Sequence, residues 1–234
     1  MLSQYSDSPL LVAVDSASPI TSVAVGFVEL RDGSRPGDSL LGTRQTPSGR
    51  SSTDLLVLLD DILSEHQLSP RNIERLVGNR GPGSFTGLRI GMATLMGLAQ
   101  SLDAQATAAT AFRALAAQVG MSTRDDDHRT VALIDALRGE WFAQTFDPGG
   151  LKLTEAEIVE PEKLLDWAPC RIVGFGLQRL PAALSDHPGV EIQEAVLMAP
   201  TLLELGRHPG LEWDAGLLTT PLYLRAPAAT SNPR

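Results

Sequence analysis

Twice along this chain an apolar run of strand length ends on an aspartate, and a second β-type run follows within a few residues. The first copy is Pro9-Leu-Leu-Val-Ala-Val-Asp15 followed by Thr21 to Leu30, and the second is Thr130-Val-Ala-Leu-Ile-Asp135 followed by Trp141 to Phe146. An almost unbroken apolar run this short reads as a strand buried on both faces. A turn-forming acid and a renewed β pattern after it read as a hairpin. Two such hairpins, each opening one half of the chain, point to an internally duplicated α/β unit. At 234 residues the chain exceeds one typical domain of roughly 100 to 150 residues. Two lobes sharing a cleft follow, the first over residues 1–109 and the second over 110–234.

The intervening segments fit alternating strands and helices. RDGSRPGD (31–38) supplies a turn, and Ser39 to Thr46 reads as a third strand on the exposed side. From Ser51 the period lengthens: Leu55, Leu59 and Ile62, with Leu56 and Leu63 beside them, recur at helical spacing behind Ser51 or Ser52 as N-cap. Arg75 to Gly78 is a brief strand, and Phe85, Leu88, Met92, Leu95, Met96, Ala99 and Leu102 trace a second amphipathic helix. Thr107 to Gly120 is alanine-rich and reads as a linking helix, while Arg124 to Arg129 is a charged turn. Helices are expected at 161–167, 177–184 and 199–206, a strand at 171–176, and extended chain over 216–224, with a frayed tail after it.

The segment Arg80-Gly-Pro-Gly-Ser-Phe-Thr-Gly-Leu-Arg-Ile-Gly91 invites comparison with phosphate-binding loops. A P-loop needs G-x-x-x-x-G-K-[ST], and no lysine follows these glycines. The dinucleotide fingerprint G-x-G-x-x-G also fails, because Thr86 stands where the third glycine should be. Residues Ser84 to Gly87 nevertheless precede a helix whose first N–H groups lack intrahelical partners, so anion contact and a tight strand-to-helix turn both remain open. Gly87 and Gly91, four residues apart, place small residues on one helix side where another backbone can come close. Asp15 and Asp135 also admit two roles: facing a nucleotide-bound cation in a cleft, or capping their own turns through Asx bonds.

Other chemistry finds little support. The four histidines, His66, His128, His187 and His208, never stand four apart, so no helix presents a His pair to a metal. Gly37-Asp-Ser-Leu40 spells an esterase-like tetrad around Ser39, but in a polar turn and without an Asp-x-x-His late in the chain, since neither His187 nor His208 has an Asp three residues earlier. Cys170 stands alone beside an apolar run and reads as a small buried hydrophobe, which suits a reducing cytoplasm. A net charge of −9 and only two lysines, Lys152 and Lys163, argue against direct capture of nucleic acid. No basic-flanked leader and no apolar stretch of about 20 residues is evident, so a cytoplasmic protein without a membrane span is expected.

Four blocks of the chain resemble the bacterial TsaB (YeaZ) family, in family order and over nearly its whole length. They are Leu11-Val-Ala-Val-Asp15-Ser16 with Ser22-Val-Ala-Val25, then Val77 to Gly91, then Ile134-Asp-Ala-Leu-Arg-Gly-Glu140, and finally Pro221-Leu-Tyr-Leu-Arg225. The second block is the most diagnostic. The resemblance implies an actin-like ATPase-type fold (ASKHA, ribonuclease H-like) of two related α/β lobes. It implies a non-catalytic subunit in synthesis of threonylcarbamoyladenosine in tRNA, one that activates the transferring subunit TsaD without its metal-holding His-x-x-x-His.

Pairing is expected through the first lobe, by helices at 52–65 and 86–102. Leu55, Leu59, Ile62, Gly87, Gly91, Leu95 and Leu98 are the candidate interface, with packing against the lobe's own sheet as the alternative for most of them. Gly91→Arg is then expected to abolish pairing and leave the fold intact. Further implied partners are a TsaE-type ATPase subunit and a second copy of the chain, with tRNA reached only through the complex. No cofactor is expected on the chain alone. ATP would enter within the complex, with Asp15, Ser16, Gly83, Ser84, Thr86 and Asp135 as candidate contacts. Two departures stand out: Ser51-Ser52 replaces the usual His-Ser pair, and Asp15-Ser16-Ala17 replaces Asp-Thr-Ser. A stand-alone kinase or ATPase of the same fold is the competing class. A peptidase, a label attached to the wider superfamily, has no convincing catalytic set here.

Overall fold

The computed structural model describes residues 9–28, 39–46, 54–120, 128–137 and 139–225. Strands β1 (Leu10–Asp15), β2 (Ser22–Phe27), β3 (Leu40–Gln45), β4 (Ile73–Asn79) and β5 (Gln105–Ala109) form one sheet. Strands β6 (Arg129–Asp135), β7 (Trp141–Phe146), β8 (Glu157–Val159), β9 (Cys170–Phe175) and β10 (Val190–Glu194) form the other. The helices are α1 (Leu55–Glu65), α2 (Phe85–Leu102), α3 (Ala111–Gly120), α4 (Ala182–Ser185) and α5 (Met198–Arg207).

The duplication is complete at the level of topology. The first sheet runs β3-β2-β1-β4-β5 and the second, read from its other edge, β8-β7-β6-β9-β10. In both, the first three strands in sequence form an antiparallel meander, and the last two add in parallel to the free side of the first. Each sheet therefore has the arrangement of an actin-like ATPase lobe. Asp15 pairs across its hairpin with Ser22 and Asp135 with Trp141, so the two acids occupy equivalent positions.

Each lobe hands its last helix to the other. Helix α3, which follows β5, packs against β6, β7 and β9; helix α5, which follows β10, packs against β1, β2 and β4. The two helices also pack together, so Leu11, Ala13 and Val77 of the first sheet share one buried cluster with Phe112, Leu115, Ala132, Val173 and Leu202. Close packing is needed here, and small residues supply it: a Cβ at Gly206 of α5 would meet Leu11 Cδ2 at 2.9 Å. Arg207 ends α5 as a buried cation that donates to Phe27 O (3.0 Å) and Ser39 O (3.2 Å) and pairs with Glu204. Burial pushes the Glu204 carboxyl up and the Arg207 guanidinium down, with their mutual attraction opposing both shifts.

Several sequence expectations change. The alanine-rich stretch is two elements: Ala106, Ala108 and Ala109 are buried in β5 beside β4, and only Ala111 to Gly120 is helical. Alanine's helix propensity loses there to parallel pairing with β4 at a buried position. The helix expected over 177–184 is split by Pro181, which holds Leu180 extended (ψ 143°) and leaves a 3-10 turn, Leu177–Arg179, before α4. Pro161–Trp167 is likewise 3-10. The extended chain expected from 216 opens instead as a 3-10 turn, Ala215–Thr219, capped by Asp214 accepting from Gly216 N at 2.8 Å. Strand β10 is an addition to the expected elements, because its alternating Val-Glu-Ile-Gln-Glu gives a short, half-buried edge with a weak signal. The capping serines at 51 and 52, the turns at 31–38 and 124–127 and the tail from 226 lie outside the described residues. So do Gly37 and Asp38 of the esterase-like tetrad. Its Ser39 is buried beside Arg207. No helix among the described residues is long and apolar enough to cross a membrane.

Candidate functional site

The glycine segment packs the end of β4 against the turn that follows β1. Three of its glycines exist to admit that turn. A Cβ at Gly83 would meet Ala17 O at 2.5 Å, one at Gly87 would overlap the Ser16 carbonyl oxygen, and one at Gly91 would overlap Ser16 Oγ. Hydrogen bonds then lock the pieces. Ser84 N donates to Ala17 O at 2.8 Å, Ser16 Oγ donates to Gly87 O at 2.7 Å, and Ser84 Oγ caps α2 by accepting from Gly87 N at 3.2 Å. Gly81 N donates to Asn79 Oδ1 at 2.8 Å, while Gly81 O accepts from Ala111 N at 2.8 Å. The segment is a junction of strand, hairpin turn and two helices.

Asp15 lies beneath this junction with no exposed surface. Its Oδ1 accepts from Ala17 N (3.0 Å), Ser18 N (3.3 Å) and Asn79 Nδ2 (2.9 Å), an Asx-type cap that also ties β1 to β4. Its Oδ2 is buried without a hydrogen-bond partner among the described residues. Burial pushes the Asp15 carboxyl above its ordinary value of 3.8, although hydrogen bonds from Ser18, Asn79 and the Ala17 backbone pull the other way.

Between the lobes lies a cleft of about 1110 Å³. Pro19, Ile20, Gly83 and Ser84 line it from the first lobe, and Ile134, Asp135, Phe142 and Phe175 from the second. Asp135 faces it, accepting from Leu137 N at 2.8 Å and paired with Arg179. Glu194 closes the turn after β9 by accepting from Gly176 N (2.8 Å) and Leu177 N (3.3 Å). Of the six candidate nucleotide contacts, Gly83, Ser84 and Asp135 border the cleft, whereas Asp15, Ser16 and Thr86 do not line it. The two acids therefore do not present a matched pair of free carboxylates to a nucleotide-bound cation.

The seven candidate interface residues divide differently. Leu55, Leu59, Ile62 and Leu95 are at most 5% exposed and belong to the first lobe's core, under the same sheet as Val12 and Val25. Gly87 and Gly91 are buried against Ser16, so Gly91→Arg would break the monomer rather than spare it. Leu98 alone is half-buried. The outward side of α1 instead carries Leu56 (54% exposed) and Val57 (58% exposed), flanked by Asp60 and Asp61. Sequence periodicity assigns a helix its apolar stripe but not the extra apolar pair beside it.

The cleft also holds residues that sequence patterns do not single out one by one. Tyr223 packs on Phe85 with ring centroids 5.0 Å apart, and Arg225 donates to Ala136 O at 2.9 Å and pairs with Glu140. Their signal is the block Pro221 to Arg225. Among the described residues no three of His, Cys, Asp and Glu come together as a metal-binding group.

Comparison with known proteins agrees with this geometry. The family model of TsaD, tRNA N6-adenosine threonylcarbamoyltransferase, matches residues 47–172. Two solved structures share the fold: YeaZ from Pseudomonas aeruginosa (24% identity, TM-score 0.63, 85% of this chain and 90% of that one) and an uncharacterized Pseudomonas aeruginosa protein with similarity to peptidase YEAZ (24%, TM-score 0.69, 93% and 100%). The tRNA threonylcarbamoyladenosine biosynthesis protein TsaB of Bacillus subtilis is 26% identical over 67% of this chain and 63% of its own length. That of Escherichia coli is 31% identical over 203 residues, 81% of each protein. With two duplicated lobes, the glycine junction and identity at that level over most of its length, the chain belongs to the TsaB (YeaZ) family.

Proposed function

We propose that this protein serves tRNA threonylcarbamoyladenosine biosynthesis as a non-catalytic subunit that binds and activates a TsaD-type threonylcarbamoyltransferase, which modifies the adenosine next to the anticodon. The observation behind this reading is the 31% identity to Escherichia coli TsaB over 81% of both chains. The match of the TsaD model to residues 47–172 adds that subunit and partner would share one architecture, so like helices can pair. The outward faces of α1 and α2 supply the docking surface, with Leu56 and Val57 at its centre, because an exposed apolar pair beside charged neighbours has the composition of an interface core and rim. A TsaE-type ATPase subunit, ATP and tRNA join at the level of the complex, in the cytoplasm, and a second copy of this chain can occupy the same face when the partner is absent.

Reconstitution tests this directly. The transferase, the threonylcarbamoyl-adenylate donor, tRNA and ATP are combined with and without this protein, and modified adenosine is counted. A large gain in yield with the protein is the expected result, and equal yields would overturn the proposal.

A further inference from the structure

The last of the four sequence blocks, Pro221 to Arg225, has no part in the docking surface, yet it spans the two lobes. The chain leading to it is fastened to the first lobe along its length. Thr107 Oγ1 donates to Glu212 O at 2.7 Å, the Arg75 guanidinium lies 5.1 Å from the Trp213 ring, and Leu218 is buried in the first lobe's core. Arg80 Nη1 donates to Thr220 O at 3.2 Å, and Leu222 N donates to Arg80 O at 2.7 Å. Beyond Leu222 the segment crosses the mouth of the cleft. Tyr223 rests on Phe85, and Arg225 reaches the turn after β6, where Nη1 donates to Ala136 O at 2.9 Å and Nη2 pairs with Glu140.

We propose that Arg225 is a latch that fastens the β6–β7 turn of the second lobe to the first and so sets how far the cleft opens. The two places where the lobes meet differ in kind. At the α3–α5 contact they share a buried apolar cluster, which suits a pivot because separating it would expose many apolar side chains at once. At the cleft mouth the polar tie is the Arg225 guanidinium, its side chain 31% exposed, whose two bonds can be exchanged for bonds to water, beside Leu222 and Leu224 packed on the edge of that cluster. Arginine fits such a latch because its planar fork satisfies a backbone carbonyl and a carboxylate together, which an ammonium on a flexible stem does less well.

Hydrogen exchange on the full-length protein tests the latch. In Arg225→Ala the amides of residues 136–142 should exchange about tenfold faster or more, while those of β1 and β9 keep their protection. Arg225→Lys should fall between the two proteins. Arg225→Glu combined with Glu140→Arg should recover part of the protection that Arg225→Glu alone loses. Spin labels on cysteines placed at the exposed positions Gln100 and Glu162, with Cys170 buried and unlabelled, should give a broader interlobe distance distribution in Arg225→Ala. Unchanged exchange at 136–142, an unchanged distance distribution, equal loss of protection in β1 and β9, or no recovery in the charge-swapped pair would each overturn the proposal.

Discussion

Ser16 gives its hydroxyl proton to the carbonyl of Gly87 at 2.7 Å, across 71 residues of sequence, and makes the turn after β1 and the first turn of α2 one rigid unit. The bond requires two backbones closer than any side chain would permit.

Gly87→Ala should therefore cost about 1–3 kcal/mol or more, since the new Cβ overlaps the Ser16 carbonyl and backbone must move to admit it. Gly97→Ala is the matched control. It lies in the same helix, exposed, with nothing within 4 Å of the added atom, and should stabilise by roughly 0.5–1 kcal/mol. Urea titration of both variants reads the two signs, and a Gly87→Ala protein as stable as the parent would show that the junction is looser than described.

Asp15→Asn addresses the buried carboxyl. Asparagine keeps the Oδ1 acceptor for Ala17, Ser18 and Asn79 and removes the charge, so the variant should fold. The pH dependence has a definite sign. Because burial raises the folded-state value above the ordinary 3.8, the contribution of Asp15 to stability is fully present below pH 3.8 and is lost as pH rises through the raised value. Relative to the parent, Asp15→Asn should gain stability as pH climbs from 4 and level off above that point. Denaturation midpoints at several pH values measure this, and a difference independent of pH would mean that the carboxyl is not desolvated.

The two sides of α1 should respond oppositely to charge. Leu59→Asp buries an unpaired carboxylate in the first lobe's core and should unfold the protein or cost several kcal/mol. Leu56→Asp and Val57→Asp, on exposed positions, should change monomer stability by no more than about 0.5 kcal/mol. Their effect should instead be a loss of affinity for the TsaD-type partner of roughly tenfold or more. Thermal melts and titration calorimetry separate the outcomes; full affinity in both surface variants would move the docking face elsewhere.

The hairpins are legible in the sequence because an apolar run buried on both sides and ending in a turn acid has few other readings. The close approach at Gly87 and Gly91 is legible as well, though not its partner, since nothing near position 87 names Ser16. Ala108 and Ala109 mislead because small size suits both a helix and a buried strand, and only the neighbours decide. Leu55 and Leu56 are indistinguishable by hydrophobicity. One lies under the sheet and the other faces solvent, a difference set by the helix's rotation against β2 and β3. Arg225 shows the same limit: its sequence block is visible, but Ala136 and Glu140 become its neighbours only through the meeting of two lobes.

The exchange of final helices also sets a timetable for synthesis. When β5 has been made at residue 109, the inner side of the first sheet has no cover. Its covering helix ends at Arg207, 98 residues later, an interval of roughly 5–20 s at about 5–20 residues per second. Through that interval Leu11, Ala13 and Val77 stand open to chaperones and to neighbouring nascent chains.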